Sequence, residues 1–502
     1  MANDSASRVD RVRGSIGGTI AGSLARPRAV VSLLLSLSLT ACSTLDKAGS
    51  KVSETLFGGG TQPGQQGYVE GFIGGAVADE PRAALLGREV LSAGGTAADA
   101  VSAMGFALSV TYASRAGLGG GGACIAYAAS KTSVNGGIPD AILFPSVAPA
   151  GGSAGGDRPA AVPMMARGLF LLHTRYGKLP FEGLVARAEQ LARQGVPASR
   201  AFVRDLSLVH GPLLTDPGAR AAFSRNGVPL TEGQTMVQPD LAATLAQIRL
   251  AGVGDLYQGV LARRLEEGSR SAGGPLTVSD LRGAVPRVAG ALITAYGPDK
   301  VAFLPTPADG GLAAAAGFSV LARNANDLGG ATARGLAAAA RWRAGGASAE
   351  QILQTADLPA AGLPALPAST SFGAVDRDGN AVMCAVTMGN LFGTGRVVPG
   401  MGFLLGASPA VAPQPLLAAG LVWNDAEHAF RAAAGGSGQA GAPMAVATGL
   451  MNALRTGQPM AGVVAEPGRA NVMSCARYLP GKAESCGFAA DPRESGFAAT
   501  GG

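Results

Sequence analysis

The residues with the most chemical potential stand in one stretch. "LPASTSFGAVDRDGNAVMCAVT", Leu366–Thr387, sets three hydroxyl residues, Ser369, Thr370 and Ser371, between a Pro/Ala run and a strand pattern. A Ser or Thr hydroxyl is a poor nucleophile near neutral pH and needs a base beside it. The three histidines, His173, His210 and His428, fall in no recognisable triad. A hydroxyl residue that is the first of its chain carries its own base, because its α-amine titrates near ~7.7–8.0 and can take the proton. Self-cleavage uses the same oxygen: it attacks the preceding carbonyl, an ester forms, and water releases it. The bland alternative is that these hydroxyls only satisfy backbone groups at a strand entry. No CxxC and no His/Cys cluster occurs, so neither a metal site nor a cofactor is expected.

The flanking patterns supply the frame. "VADEPRAALLGREVLSAGG" reads as a helix that Asp79 can cap, with Pro81 in its first turn and Gly94-Gly95 as its stop. A second helix follows Thr96, with Val101, Met104, Ala107 and Leu108 on one face. "GLGGGGACIAYAA" runs from a glycine loop into a strand. Helical patterns recur at 164–196, 239–252 and 256–270, and "ALITAY" and "KVAFLP" read as strands. The Ala/Pro/Gly-rich residues 345–368 read as a mobile connection. Strands are expected at Phe372–Val375 and Ala381–Thr387, then a glycine-rich loop, "AAAGGSGQAG", a helix near 443–456 and a final hairpin. Helices come in pairs and so do strands, which favours layered packing over a Rossmann alternation.

Composition narrows the class. Charged residues make up 15%, aromatics 5%, and 76 of 502 residues are glycine, as in a tightly packed globular chain. Of the net charge of +6, residues 1–41 carry half, from five arginines and two aspartates. No Lys/Arg block is interleaved with aromatics, so no nucleic-acid partner is expected. Basic residues precede the apolar run Ala29–Ala41, which is shorter than the roughly 20 residues that span a bilayer and suits a signal peptide. "LTAC", Leu39–Cys42, resembles a bacterial lipobox, implying cleavage before Cys42, lipidation of its sulfur and a periplasmic location at the envelope, at the outer membrane. Residues 42–68 read as a flexible tether. In that oxidising compartment Cys475 and Cys486, flanking a Pro-Gly turn, are expected to form a disulfide, while Cys124 and Cys384 pair only if their strands are neighbours.

Several blocks, in order, resemble the γ-glutamyltransferase family: "GGTAADA" (Gly94–Ala100), "GLGGGG" (Gly117–Gly122), "GLFLLHTRYGKLPFEGLVARAEQLARQG" (Gly168–Gly195), "VQPDLAATLAQI" (Val237–Ile248), "DLYQGVLA", "GGPLTVSDL" and "DRDGNAV…FGTGRVVPGMGFLL" (Asp376–Leu405). The resemblance implies an α+β fold, the four-layer αββα sandwich of N-terminal-nucleophile hydrolases. It implies a precursor that cuts itself before a Thr, which becomes the nucleophile. The family register places that position at Ser369, with Thr370 as the alternative. The chain would divide into segments 69–368 and 369–502 that stay paired as one domain. The resemblance further implies that Thr387 supports the nucleophile, that Gly435 and Gly436 of "AGGSG" (Ala434–Gly438) form an oxyanion hole, and that Asn390 and Ser437 contact substrate.

The pattern also breaks. Pro145 of "PSVAP" holds the position of the family's carboxylate-binding Arg. "LLGASPAVAP", Leu404–Pro413, lacks the acids that bind the α-amine, "PLLAA", Pro415–Ala419, replaces a serine pair, and Gly389 replaces an Asn. Arg115 or Asp309 are the residues placed to substitute. The expected function is a self-cleaving hydrolase or transferase of a γ-glutamyl or related acyl group on a small amide or peptide of the glutathione type. Two alternatives stand beside it: an amidase for a neutral acyl group, and an inactive envelope lipoprotein that keeps the scaffold.

Overall fold

The computed structural model describes residues 71–130, 133–150, 156–461, 464–493 and 495–501. The signal segment 1–41, Cys42 and the tether 42–68 lie outside the described residues. In chain order the principal strands are β1 (Gly74–Ala78), β2 (Gly121–Tyr127), β3 (Asp140–Phe144), β4 (Arg287–Gly290), β5 (Leu292–Tyr296), β6 (Asp299–Phe303), β7 (Thr370–Asp376), β8 (Ala381–Thr387), β9 (Ala418–Asn424), β10 (Ala429–Ser437), β11 (Arg469–Leu479), β12 (Cys486–Ala490) and β13 (Phe497–Gly501). They build a seven-stranded sheet in the order β13-β1-β7-β8-β2-β3-β4 and a six-stranded sheet in the order β12-β11-β10-β9-β6-β5.

Strand alternation sorts the side chains into three layers of core. Ile125, Leu143, Val375, Met383 and Ala385 of the first sheet meet Ala302, Leu421, Trp423, Ala433 and Met473 of the second. The next residues along, Cys124, Ala126, Phe372, Ala374 and Val382, face helices on the outside of the first sheet. Those are chiefly α1 (Pro81–Ser92), α2 (Ala97–Thr111), α3 (Met165–Tyr176), α4 (Phe181–Gln194), α5 (Arg200–Leu213) and α6 (Pro239–Ala251). Outside the second sheet, Val301, Phe303, Val422 and Val472 pack on α7 (Asp309–Arg323), α8 (Leu328–Arg343) and α9 (Ala442–Thr456). The fold is a four-layer αββα sandwich. The sheets close tightly because small residues line the gap: a Cβ on Gly435 would lie 2.8 Å from the Cβ of Ser371.

Helix α2 is buried along its whole length. Most of its residues are apolar, as in a helix enclosed between others. Thr96 caps it in a reciprocal box with Asp99. The cap of α1 is not Asp79 but Glu80, whose Oε2 accepts from the Ala83 N–H at 3.0 Å. The reason is pairing: β1 runs antiparallel to β7 up to Ala78 opposite Phe372, so Asp79 is held at the strand end, where its carboxylate meets more donors than one helix terminus offers.

Cys124 lies opposite Cys384 across β2 and β8, and the two are bonded. Cys475 and Cys486 face each other across β11 and β12 and are bonded as expected. The glycine-rich loop expected at 432–441 is a strand for most of its length: Ala434 to Ser437 end β10, with Gly435 opposite Ala419 on one side and Asn471 on the other. The chain leaves the sheet at Gly438, which holds φ +93.

Candidate active site

Strands β7 and β8 form the centre of the first sheet, and the Thr370–Val386 pair is the last rung at one end of their ladder. One step beyond it, Ser369 stands level with Thr387. Both are buried, at 1% and 2% exposure. The Thr387 Oγ1 donates to the carbonyl of Ala368 at 2.7 Å and accepts from the Gly389 N–H at 2.9 Å. A hydroxyl donor therefore sits on the carbonyl that Ser369 would have to attack.

Alternation separates the two candidate nucleophiles. Ser371 faces the second sheet, where the Asn471 Nδ2 of β11 donates to its Oγ at 2.8 Å. Ser369, two residues earlier, shares that side, as does Thr387 with Ala385 and Met383. Thr370 is on the opposite face, with Phe372 and Ala374, and its Oγ1 donates to Asp79 Oδ2 at 2.8 Å. The Thr370 hydroxyl is thus engaged by Asp79, while the Thr387 hydroxyl sits on the carbonyl that precedes Ser369.

A cleft of about 230 Å³ opens beside the Ala368 carbonyl, lined among others by Arg115, Arg204, Asp205, Ala368, Asn390 and Arg469. Arg115 follows α2; its Nη1 donates to the Ser369 carbonyl at 3.2 Å, while its Nε and Nη2 grip Asp205 of α5 at 2.7 and 2.8 Å. This fork fixes the guanidinium plane beside the reacting segment. Asp309 is not in this cleft: it is buried against Arg343, and burial pushes its carboxyl up from the ordinary carboxylate value despite that partner. Asn390 is exposed and lines the cleft, with its Oδ1 accepting from the Leu391 N–H at 3.1 Å.

The remaining expected residues are placed differently. Ser437 does not face substrate space: it is fully buried and its Oγ donates to Asp79 Oδ2 at 2.9 Å, because the last residue of β10 turns inward. Gly435 and Gly436 lie within a strand paired on both edges, so their peptide groups belong to the sheet rather than to a loop free to wrap an oxyanion. Gly389 holds φ +73, and a Cβ there would lie 2.6 Å from the Ala407 carbonyl oxygen, so the backbone leaves no room for the Asn of the family pattern. Leu417 and Ala418, which stand at the serine pair of the family pattern, are buried among apolar side chains. His173 is far from this chemistry in role: it packs on Phe181 and contacts the Leu179 carbonyl.

Sequence reasoning missed the hydrogen-bonded cluster that Asp79 and Asn471 form at the start of β7. Asn471 interrupts the apolar run "ANVMSC", and a lone amide in a buried strand is the signal that could have marked it. Nothing local marked Asp79, whose partners are 291 to 392 residues away.

Residues 83–341, just over half of the chain, match the family model described as Gamma-glutamyltranspeptidase. Over 264 residues the chain is 31% identical to glutathione hydrolase 3 of Arabidopsis thaliana, covering 50% of this chain and 40% of that protein. Over 382 residues it is 28% identical to the glutathione hydrolase proenzyme of Escherichia coli strain K12, covering 64% of each. The chain thus spans about half the length of such relatives. Among solved structures, cephalosporin acylase from Bacillus halodurans superposes with a TM-score of 0.69 at 19% identity, covering 87% of this chain and 97% of that one. That likeness concerns the fold.

Proposed function

The chain belongs to the gamma-glutamyltranspeptidase family, and from that premise we propose that it cuts itself before Ser369 and then uses the freed residue to hydrolyse or transfer an acyl group from a small amide. The observation that carries this reading is the hydrogen bond from Thr387 to the Ala368 carbonyl at 2.7 Å, beside a buried serine on the same side of the strand. In the first stage the Ser369 Oγ bonds to the Ala368 carbonyl carbon, the C–N bond breaks, and the hydroxyl proton passes to the nitrogen. Thr387 steadies the negative charge that develops on the carbonyl oxygen. Water then opens the ester, leaving a carboxylate on Ala368 and a free amine on Ser369. In the second stage that amine takes the Oγ proton, the oxygen captures the substrate acyl group, the leaving amine departs with the proton, and water or an acceptor amine releases the product.

Arginines on the cleft wall favour an acyl group that carries a carboxylate, such as γ-glutamyl, with Arg115 doing from the end of α2 what the family's arginine does from the position of Pro145. A second reading, an amidase for a neutral acyl group, draws support from Pro145 itself and from the buried Leu417 and Ala418. Export and anchoring through Cys42 complete the proposal and predict a lipid-modified mature N-terminus; no helix among the described residues is long and apolar enough to cross a membrane.

The test is N-terminal sequencing and intact mass of the purified protein. A fragment beginning at Ser369 is expected in the wild type and in Thr370→Ala, and a single chain in Ser369→Ala. An unbroken wild-type chain defeats the proposal. A γ-glutamyl anilide assayed against a neutral acyl anilide separates the two substrate readings.

A further inference from the structure

We propose that Asp79 is a positioning residue for the nucleophile, its buried carboxylate tying the cut end of β7 to the second sheet; this rests on the reading of Ser369 as the new N-terminus. Asp79 is 6% exposed at the end of β1. Its Oδ2 accepts from the Thr370 Oγ1 at 2.8 Å, the Ser371 N–H at 3.2 Å and the Ser437 Oγ at 2.9 Å. Its Oδ1 accepts from the Asn471 Nδ2 at 2.8 Å, and the same amide nitrogen reaches the Ser371 carbonyl at 3.0 Å. Among the described residues no Lys or Arg forms an ion pair with it, and its side-chain partners are all neutral donors. A carboxylate is buried in this way only where its donors are well aimed.

Those donors come from both sheets. Thr370 and Ser371 open β7, Ser437 closes β10, and Asn471 lies in β11. In the continuous chain Ser369 is held from both sides, through Ala368 before it and Thr370 after it. Cleavage removes the first tether and with it the Thr387 contact to Ala368. A chain end frays unless something ties it down. After the cut, the place of Ser369 is set by the first rung of the β7 ladder and by the bonds that Thr370 and Ser371 make to Asp79. Since the partners on the far side belong to the other sheet, Asp79 also sets the distance between the nucleophile and the wall it faces. It touches neither the scissile carbonyl nor the cleft.

The test uses the full chain, with Asp79→Asn as the variant that keeps shape and Ser437→Ala as one that removes a single bond and leaves the carboxylate in place. Intact mass reports cleavage, thermal unfolding reports folding, and kcat and KM on an anilide are taken per cut, folded enzyme. A reacting group displaced by about 1 Å loses roughly 10²-fold in rate. Asp79→Asn is expected to lose about that much in kcat while KM stays within about twofold, since the cleft wall is untouched. Ser437→Ala is expected to move in the same direction by less. Folded, cut Asp79→Asn with wild-type kcat overturns the clamp and leaves the Ser369 reading intact. If Asp79→Asn does not fold, full kcat in Ser437→Ala overturns it instead. A wild-type chain that is never cut sinks both, and is recognised in the wild type before any variant is made.

Discussion

Replacing Thr387 by Val removes one oxygen and keeps the shape of the side chain. That oxygen makes two hydrogen bonds, to the Ala368 carbonyl at 2.7 Å and from the Gly389 N–H at 2.9 Å, and the residue is 2% exposed. Two backbone groups lose their partners. An unpaired buried polar group costs about 1–3 kcal/mol, and the cleft beside Ala368 lets water reach one of the two, so the loss of stability should be near ~2 kcal/mol. The kinetic effect is larger. A single donor aimed at a developing oxyanion typically contributes 10²–10³ in rate, so self-cleavage of Thr387→Val should slow by about that factor. The assay is a time course of freshly purified protein on a denaturing gel, with intact mass to fix the cut site and thermal unfolding to show that the uncut variant is folded. Thr387→Ser keeps the oxygen and should cut within about tenfold of wild type if the hydroxyl is what matters. Folded Thr387→Val that cuts at the wild-type rate would refute the role of this hydrogen bond. So would Thr387→Ser as slow as Thr387→Val.

In the uncut Ser369→Ala chain the Cys124–Cys384 bond closes 260 residues and the Cys475–Cys486 bond 11, so on chain-entropy grounds removing the first pair as alanines in that background should cost roughly 3 kcal/mol more than removing the second, read from urea unfolding. Burial pushes the Asp376 carboxyl up from 3.8 to about 6, even though Asn380 and the Ala97 N–H donate to it. The folded state therefore holds that proton more tightly than the unfolded chain. The associated stability is complete below pH 3.8 and is lost as pH rises through about 6, an effect of about 3 kcal/mol. Asp376→Asn, which stays neutral, should gain on wild type by a similar amount between pH 4 and 7, and equal slopes for the two proteins would contradict this. Gly389→Asn, which restores the family residue, should lower stability by ~1–3 kcal/mol because its Cβ would meet the Ala407 carbonyl oxygen at 2.6 Å; an unchanged melting temperature would mean the loop yields easily.

Much of this architecture was legible along the chain. Thr96 announces the start of α2, and the capping box it forms with Asp99 spans only three residues. The short apolar run Ala381–Thr387 is what a strand with two buried faces shows, and the Pro-Gly turn between Cys475 and Cys486 brings those two thiols together locally. The hydroxyl run at 369–371 marked the chemistry, since base and nucleophile can reside in one residue there. These features are short-range, fixed by spacing and by the conformational preferences of a few neighbours.

The rest required the fold. Ser369 and Thr370 are adjacent and chemically alike, and only the closed fold ties the Thr370 hydroxyl to Asp79 and sets the Thr387 hydroxyl on the carbonyl before Ser369. Asp79 reads as a helix cap until β1 pairs with β7, after which its carboxylate has partners on three other strands. Arg115 carries no label in its own segment, and its place beside the Ser369 carbonyl comes from Asp205 on a helix 90 residues later. The sequence by itself determined which local elements form and which residues carry reactive atoms. Which of those atoms meet was decided by strand order and register, because contacts between residues hundreds of positions apart exist only once both sheets have closed.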